Sequence, residues 1–180
     1  MAATLESLRQ KSAICWGGDM ILVTVGTHPQ GFERLVRAAD ELAARLEEEM
    51  VIQYGSSSYL PRFAARSFDF TSSEEMKRLM KQARIIISHA AAGTIITALL
   101  LEKPLILVPR SKKYKESLDD HQIQLTSILH DENRAIKILD PQIETLSNAI
   151  RIIPELSIQP RKPNSLLFYI RQKLIDWEKR

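Results

Sequence analysis

The sequence predicts an α/β domain with a doubly wound parallel sheet, and two stretches carry that prediction. From residue 85 to residue 108, a short apolar strand is followed by a turn of small residues, an apolar helix and a second apolar strand. Parallel strands need a crossover, usually a helix, so this βαβ pattern indicates a parallel sheet. From Met20 to Glu49 the chain has a strand, a glycine turn and an amphipathic helix. Such alternation predicts helices on both faces of the sheet.

The predicted strands are short apolar runs that end in glycine, proline or polar residues. In chain order they are Ile21–Val25, Met50–Tyr54, Phe68–Phe70, Ile85–Ile87, Leu105–Val108 and Ala135–Leu139. The segments between them carry the periodicity or the capping residues of helices. The predicted helices are Phe32–Glu49, Glu74–Ala83, Thr94–Leu101, Ile123–His130 and Ile143–Ile152. These elements predict a domain of residues 20–153.

Three further segments flank that domain. Residues 1–19 are weakly patterned and predict an extension, or alternatively an arm that binds a partner. Prolines predict a linker at residues 154–164. Residues 165–180 predict a final helix with an apolar face, which could pack on its own sheet, dock on another subunit or lie at a membrane surface.

Composition argues against several classes of protein. The net charge of +3 comes without a stripe of basic and aromatic residues, so nucleic acid is not an expected partner. The lone Cys15 excludes an internal disulfide and suits a reducing compartment such as the cytoplasm. No apolar run approaches the roughly 20 residues that span a bilayer. No Cys/His cluster has metal-binding spacing, and we expect neither a metal nor a bound cofactor.

Polar residues follow the predicted strands, where ligands bind in doubly wound sheets. The candidate ligand residues are Gly26, Thr27, His28, Ser88, His89, Gly93, Thr94, Arg110, Asp119, Asp120, His121 and Gln122. The small residues before the helix at Thr94 favour an anion, because the first turn of a helix presents free amides. The Gly26 amide and the Thr27 hydroxyl could face a phosphate, and Arg110 could pair with one bidentately.

The same residues have plainer interpretations, which the sequence leaves open. Gly26 could serve only a tight turn, and His28 could be a polar loop residue. Asp119 or Asp120 could cap a helix instead of binding sugar hydroxyls. Motifs exclude other chemistry: there is no G-x-x-x-x-G-K-[ST], no G-x-G-x-x-G after the first strand and no G-x-S-x-G. A P-loop NTPase, an NAD enzyme and a serine hydrolase of that type are therefore disfavoured.

Three segments resemble a known family. They read ILVTVGTHPQGFERLV, SHAAAGTIITALLLEKPLILVPR and KKYKESLDDHQ. The resemblance covers residues 20–129 and is to the small donor-binding subunits of two-part glycosyltransferases. These are similar to the C-terminal half of the bacterial enzyme that adds N-acetylglucosamine to make lipid II. Bacterial subunits of exopolysaccharide and capsule synthesis, and a eukaryotic subunit that acts on dolichol-linked oligosaccharide, are also similar.

The resemblance implies a Rossmann-like sheet that forms the C-terminal, donor-binding half of a GT-B fold. It implies a UDP-sugar donor, a lipid-linked sugar acceptor and a membrane-associated partner subunit that holds the acceptor. Transfer would be inverting and metal-independent, on the cytoplasmic face of a membrane, with residues 165–180 docked on the partner. Without that partner, a homodimer is plausible. An alternative is a non-catalytic enhancer or assembly subunit; a stand-alone epimerase or hydrolase is disfavoured because this chain is too short for a second domain.

The resemblance also assigns roles to residues. Gly26 and Thr27 would lie by the diphosphate, and the segment from His89 through Ala92 to Thr94 would lie under the α-phosphate and ribose. Further positions are Pro109 with Arg110 beside the base and phosphates, and His121 with Gln122 beside the donor sugar.

This sequence also departs from the family. Thr97 stands where the lipid II enzyme has a glutamate that binds ribose, and Ala90-Ala91-Ala92 replaces a glycine-rich turn. The family's KYGEH segment reads Lys113–Ser117 here and lacks the glycine and the histidine. No catalytic base can be assigned; His28 and His89 are candidates only because histidine titrates near neutral pH.

Overall fold

A computed structural model describes residues 20–117 and 121–153. Six parallel strands form one sheet in the order β3-β2-β1-β4-β5-β6. The strands are β1 Met20–Thr24, β2 Glu49–Gln53, β3 Arg66–Phe68, β4 Ala83–Ser88, β5 Leu105–Leu107 and β6 Ile136–Lys137. The helices are α1 Glu33–Ala43, α2 Ser73–Gln82, α3 Ala92–Leu100, α4 His121–Asp131 and α5 Ile143–Ile152, with a 3₁₀ turn at Lys112–Tyr114. The predicted doubly wound α/β fold is confirmed.

The sheet separates two apolar cores. Alternate β1 residues point to opposite faces: Ile21 and Val23 join α1 and α5, whereas Leu22 joins α2, α3 and α4. The central strands are buried on both faces, which explains their continuous apolar runs. The strand order reverses between β1 and β4, the place in such sheets where ligands bind.

A segment without regular structure connects β2 to β3 and is held by two carboxylates of α1. Glu33 accepts hydrogen bonds from the amides of Ser58 and Tyr59 and from the Ser58 hydroxyl. The buried Asp40 accepts from the Tyr59 hydroxyl and from the amides of residues 62–64. This crossover therefore occupies the place of a helix on the α1 face.

Several predicted bounds were wrong. Helix α1 ends at Ala43 and not at Glu49, because Glu49 pairs with Met20 as the first residue of β2. Strand β3 lies two residues before its predicted start, and β6 is shorter than predicted. Both are edge strands with a neighbour on one side only, so their apolar pattern is weak.

Some predictions lie outside the described residues. These are the extension at 1–19, the linker at 154–164, the helix at 165–180 and the positions of Asp119 and Asp120. A search of residues 20–117 and 121–153 finds no helix with the length and apolar character to cross a bilayer.

Candidate functional site

A cavity of about 770 Å³ opens at the carboxyl edge of the sheet, between β1, α2 and α3. Its lining residues are Thr24, Gly26, Thr27, Gln53, Thr71, Ser72, Ser73, Met76, Lys77, Met80, Lys81, His89, Ala91, Gly93, Thr94, Thr97, Leu100 and Leu101. Among these described residues the only side chains with full charge at neutral pH are two lysines, and none is a carboxylate. The cavity therefore attracts anions.

One end of the cavity is the start of helix α3. The residue that precedes this helix, Ala91, has no side-chain oxygen to cap it, so the amides of the first turn are not satisfied by a cap. Free amides and the helix dipole make such a terminus a binding site for phosphate groups. The hydroxyl of Thr94 lies in the same turn and lines the cavity.

The turn before α3 has one unusual backbone conformation. Ala90 has a φ of +67°, in the left-handed region that normally favours glycine, and its methyl group is buried. Ala91 and Ala92 are not among the residues with positive φ. The alanine-filled turn thus keeps the backbone path that a glycine would take, at the cost of strain at one residue.

Gly26 and His89 touch across the mouth of the cavity. Gly26 has a φ of +74°, and a Cβ at this position would lie 2.5 Å from both Cε1 and Nε2 of the His89 ring. Real Cβ atoms essentially never approach other atoms so closely. Both the backbone conformation and the close approach therefore require glycine at residue 26.

His89 is held as a neutral ring. Burial lowers the pKa of His89 to about 4, and the nearby Arg110 charge acts in the same direction. Its Nδ1 lies 3.3 Å from the carbonyl oxygen of Thr24, which can only accept, so Nδ1 carries the proton. The Nε2 atom is then an acceptor at neutral pH, and it can receive a hydrogen bond from a hydroxyl.

Arg110 does not face the cavity, contrary to the expectation that it pairs with a phosphate. Its guanidinium is buried and donates to the carbonyl oxygens of Val25, Gln30 and Gly31 at 2.9–3.1 Å, with the Phe32 ring 4.8 Å away. The turn between β1 and α1 thus brings three carbonyl oxygens to one guanidinium, which supplies several donors at once. Arg110 therefore stabilises that turn.

The backbone amide of Gly26, which was predicted to face a phosphate, has a partner within the protein. This amide donates to the Gln53 side-chain oxygen at 3.1 Å, so this N–H is already engaged within the protein. Thr27 lines the cavity, and its hydroxyl remains a candidate phosphate ligand.

The other predicted residues fall into two groups. Thr97 lines the cavity, and its hydroxyl donates to the Gly93 carbonyl at 2.9 Å. Ala92 starts α3 beside the lining residue Ala91. The rest are not among the lining residues: His28, Ser88, Pro109, His121 and Gln122. Of these, His28 accepts from the Gln30 amide, and the Gln122 side chain accepts from the Arg110 amide at 3.0 Å.

Sequence reasoning missed the contribution of α2 and of the residues at its start to the cavity. Lys77 and Lys81 lie one helical turn apart and present two cations to the cavity. Residues Thr71–Ser73 all line the cavity, and Ser72 also caps α2 by accepting from the Glu75 amide at 3.1 Å. The signal in the sequence was a methionine followed by a lysine that recurs four residues later, at Met76-Lys77 and Met80-Lys81. At helical spacing, these pairs lie on neighbouring turns of one helix.

The fold and this cavity define a doubly wound domain with an anion-attracting crevice at the switch point of its sheet. Residues 20–164 match the family model described as the glycosyltransferase family 28 C-terminal domain, and the chain therefore belongs to that family. The expected resemblance is confirmed.

Relatives and solved structures agree with this assignment. A mouse protein named UDP-N-acetylglucosamine transferase subunit ALG13 is 32% identical over 120 residues, which are 61% of this chain and 10% of that protein. A glycosyltransferase of kitacinnamycin has a similar fold with a TM-score of 0.60 and 18% identity, covering 89% of this chain and 40% of that one. A solution structure of ALG13 has a TM-score of 0.56 at 19% identity, covering 89% of this chain and 96% of that one. The expected half of a GT-B fold is thereby confirmed.

Proposed function

We propose that this chain is the donor-binding subunit of a glycosyltransferase that binds a UDP-sugar in the crevice between β1, α2 and α3. The observation that carries the proposal is the uncapped start of α3 facing a cavity with two lysines and, among its described lining residues, no carboxylate. A nucleoside diphosphate needs such an environment for its negative charges. The name of the mouse relative supports UDP-N-acetylglucosamine as the first donor to test.

In this proposal the diphosphate lies at the start of α3. First-turn amides, the Thr27 and Thr94 hydroxyls and the two lysines would stabilise the charge that develops on the leaving UDP. These groups could do so without a metal ion, and transfer would be inverting, by direct attack of an acceptor hydroxyl. None of the described lining residues is a carboxylate that could take the proton of this hydroxyl. His89 also lines the cavity, but its pKa, lowered to about 4, makes it a weak base, so in this proposal the general base comes from a partner.

The acceptor and the membrane also belong to the partner in this proposal. A membrane-associated subunit would bind the lipid-linked sugar and bring it to the crevice on the cytoplasmic face. Residues 165–180 would dock on that subunit, and a homodimer could form in its absence.

Calorimetric titration with UDP, UDP-N-acetylglucosamine, UDP-galactose and UDP-glucose tests donor binding directly. The Lys77→Ala and Lys81→Ala double variant is expected to weaken UDP binding about tenfold or more, since it removes two charge-assisted contacts. Lys137→Ala is the matched control, because Lys137 lies on β6 and does not line the cavity. If Lys137→Ala weakens UDP binding as much as the double variant does, the assigned site is wrong.

A second candidate function is that of a non-catalytic enhancer or assembly subunit. Two observations favour it: Arg110 is buried, and the Thr97 hydroxyl is bonded to its own helix. Titration of the chain co-expressed with its partner separates the two functions. An enhancer would raise the activity of the partner complex without nucleotide binding at this crevice.

A further inference from the structure

The side chain of Gln53 joins three segments that form the mouth of the crevice. Gln53 is the last residue of β2 and is buried. Its Oε1 accepts from the Thr24 hydroxyl at 2.5 Å and from the Gly26 amide at 3.1 Å. Its Nε2 donates to the carbonyl oxygens of Gly26 at 2.8 Å and Asp69 at 3.0 Å.

These four bonds use the full hydrogen-bonding capacity of a carboxamide, which has two acceptor and two donor sites. They also fix its orientation, because the Gly26 amide can only donate and the two carbonyls can only accept. Gln53 thus holds the Gly26 residue at both its N–H and its C=O. No other type of side chain combines two acceptor and two donor sites on one rigid plane, apart from asparagine, which is one methylene shorter.

The segments that Gln53 joins each lead into residues that line the crevice. Gly26 packs against His89 and precedes the lining residue Thr27. Asp69 follows the last residue of β3 and lies two residues before the lining residue Thr71. The Gln53 amide therefore ties the turn after β1 to the segment that leads into the lining residues Thr71–Ser73.

We infer that Gln53 is a positioning residue for nucleotide binding, which acts by holding the β1 and β3 loops at the distance the ligand requires. The inference rests on the function proposed above. A crevice whose loops are held before binding loses less ordering entropy when the ligand binds. The amide does this without needing to touch the ligand.

The test compares two changes that each remove one side of a buried hydrogen-bonded clamp. Gln53→Met has a similar volume, adds no charge to the crevice and removes both the donor and the acceptor of the amide. Asp40→Asn is the matched control, because Asp40 is also buried with four hydrogen bonds, but it holds residues 59–64 away from the crevice. The dissociation constant for UDP and the melting temperature are measured for each variant.

Gln53→Met is expected to weaken UDP binding by about tenfold, because the loops must then be ordered when the ligand binds. Asp40→Asn is expected to lower the melting temperature but to change UDP affinity by less than about twofold. If both variants weaken UDP binding equally, or if Gln53→Met binds like the unaltered chain, the positioning role is wrong.

Amide hydrogen exchange separates this inference from the proposed function, since it needs no ligand. In Gln53→Met, exchange at Gly26 is expected to accelerate at least tenfold, because its amide loses its acceptor, whereas in Asp40→Asn the faster exchange is confined to residues 62–64. Failure of the unaltered chain to bind UDP, with this exchange pattern intact, would overturn the proposed function and leave the loop-holding role. Unchanged exchange at Gly26 would overturn the role of Gln53 itself.

Discussion

Replacement of Gly26 by alanine is the sharpest test of the crevice geometry. The left-handed backbone costs alanine about 1–2 kcal/mol relative to glycine. The added methyl group would lie 2.5 Å from two atoms of His89, and relief of such overpacking costs about 1–3 kcal/mol. Alanine also restricts the unfolded chain, which offsets about 0.4–1 kcal/mol. The free energy of unfolding should therefore fall by about 1–4 kcal/mol.

Urea denaturation of Gly26→Ala and Gly93→Ala measures this difference. Gly93 lies in helix α3, and a Cβ there would meet nothing within 4 Å, so the same chemical change should stabilise the fold by about 0.5–1 kcal/mol. Opposite signs for the two glycines are the expected result. A loss below about 0.5 kcal/mol at Gly26 would refute the reasoning, because it would mean that neither the conformation nor the His89 contact constrains residue 26.

Three further predictions concern buried polar groups. The pKa of His89 is lowered in the folded state to about 4, so the unfolded state binds the proton more readily. The free energy of unfolding should therefore fall by about 1.4 kcal/mol per pH unit as the pH drops from about 6.5 towards 4. Urea titrations of His89→Gln should lack this slope. Burial alone would raise the pKa of Asp40, but its hydrogen bonds outweigh this and lower it, so the stability it contributes is present above the unfolded pKa and lost as pH falls through the lower folded pKa. Asp40→Asn should remove that acid dependence, and a retained one would show that another group is responsible. Arg110→Met removes the donor to three carbonyls, of which the one at Val25 is buried, and should cost about 1–3 kcal/mol in thermal or chemical unfolding; a change near zero would mean that these bonds contribute nothing.

The central part of the fold could be predicted from the sequence. Strands β1, β4 and β5 are buried on both faces, so their apolar runs stand out without knowledge of their neighbours. The edge strands β3 and β6 have one paired side and weak patterns, and their bounds were misplaced. The end of α1 was also missed, because nothing local distinguishes residues 44–48 from a helix until β2 pairs with β1.

Part of the crevice could be predicted for a similar reason. Gly26 and His89 lie just after strands, Thr94 lies in the first turn of the helix after β4, and parallel strands bring their carboxyl ends to one edge. Lys77 and Gln53 depend on which helix and which loop pack beside that edge, and this is not visible in local patterns. The orientation of Arg110 depends on carbonyl groups about 80 residues away, at Gln30 and Gly31.

The two carboxylates of α1 that hold the β2–β3 crossover have a wider consequence. Ordering an irregular segment costs about 1–2 kcal/mol of conformational entropy per residue, and this segment has no ladder of backbone bonds to offset it. Glu33 and Asp40 provide the offset from a different part of the chain, two helical turns apart. The shape of this crossover is thus encoded in α1, and sequence changes within the crossover should be tolerated as long as its amides can still reach those two carboxylates.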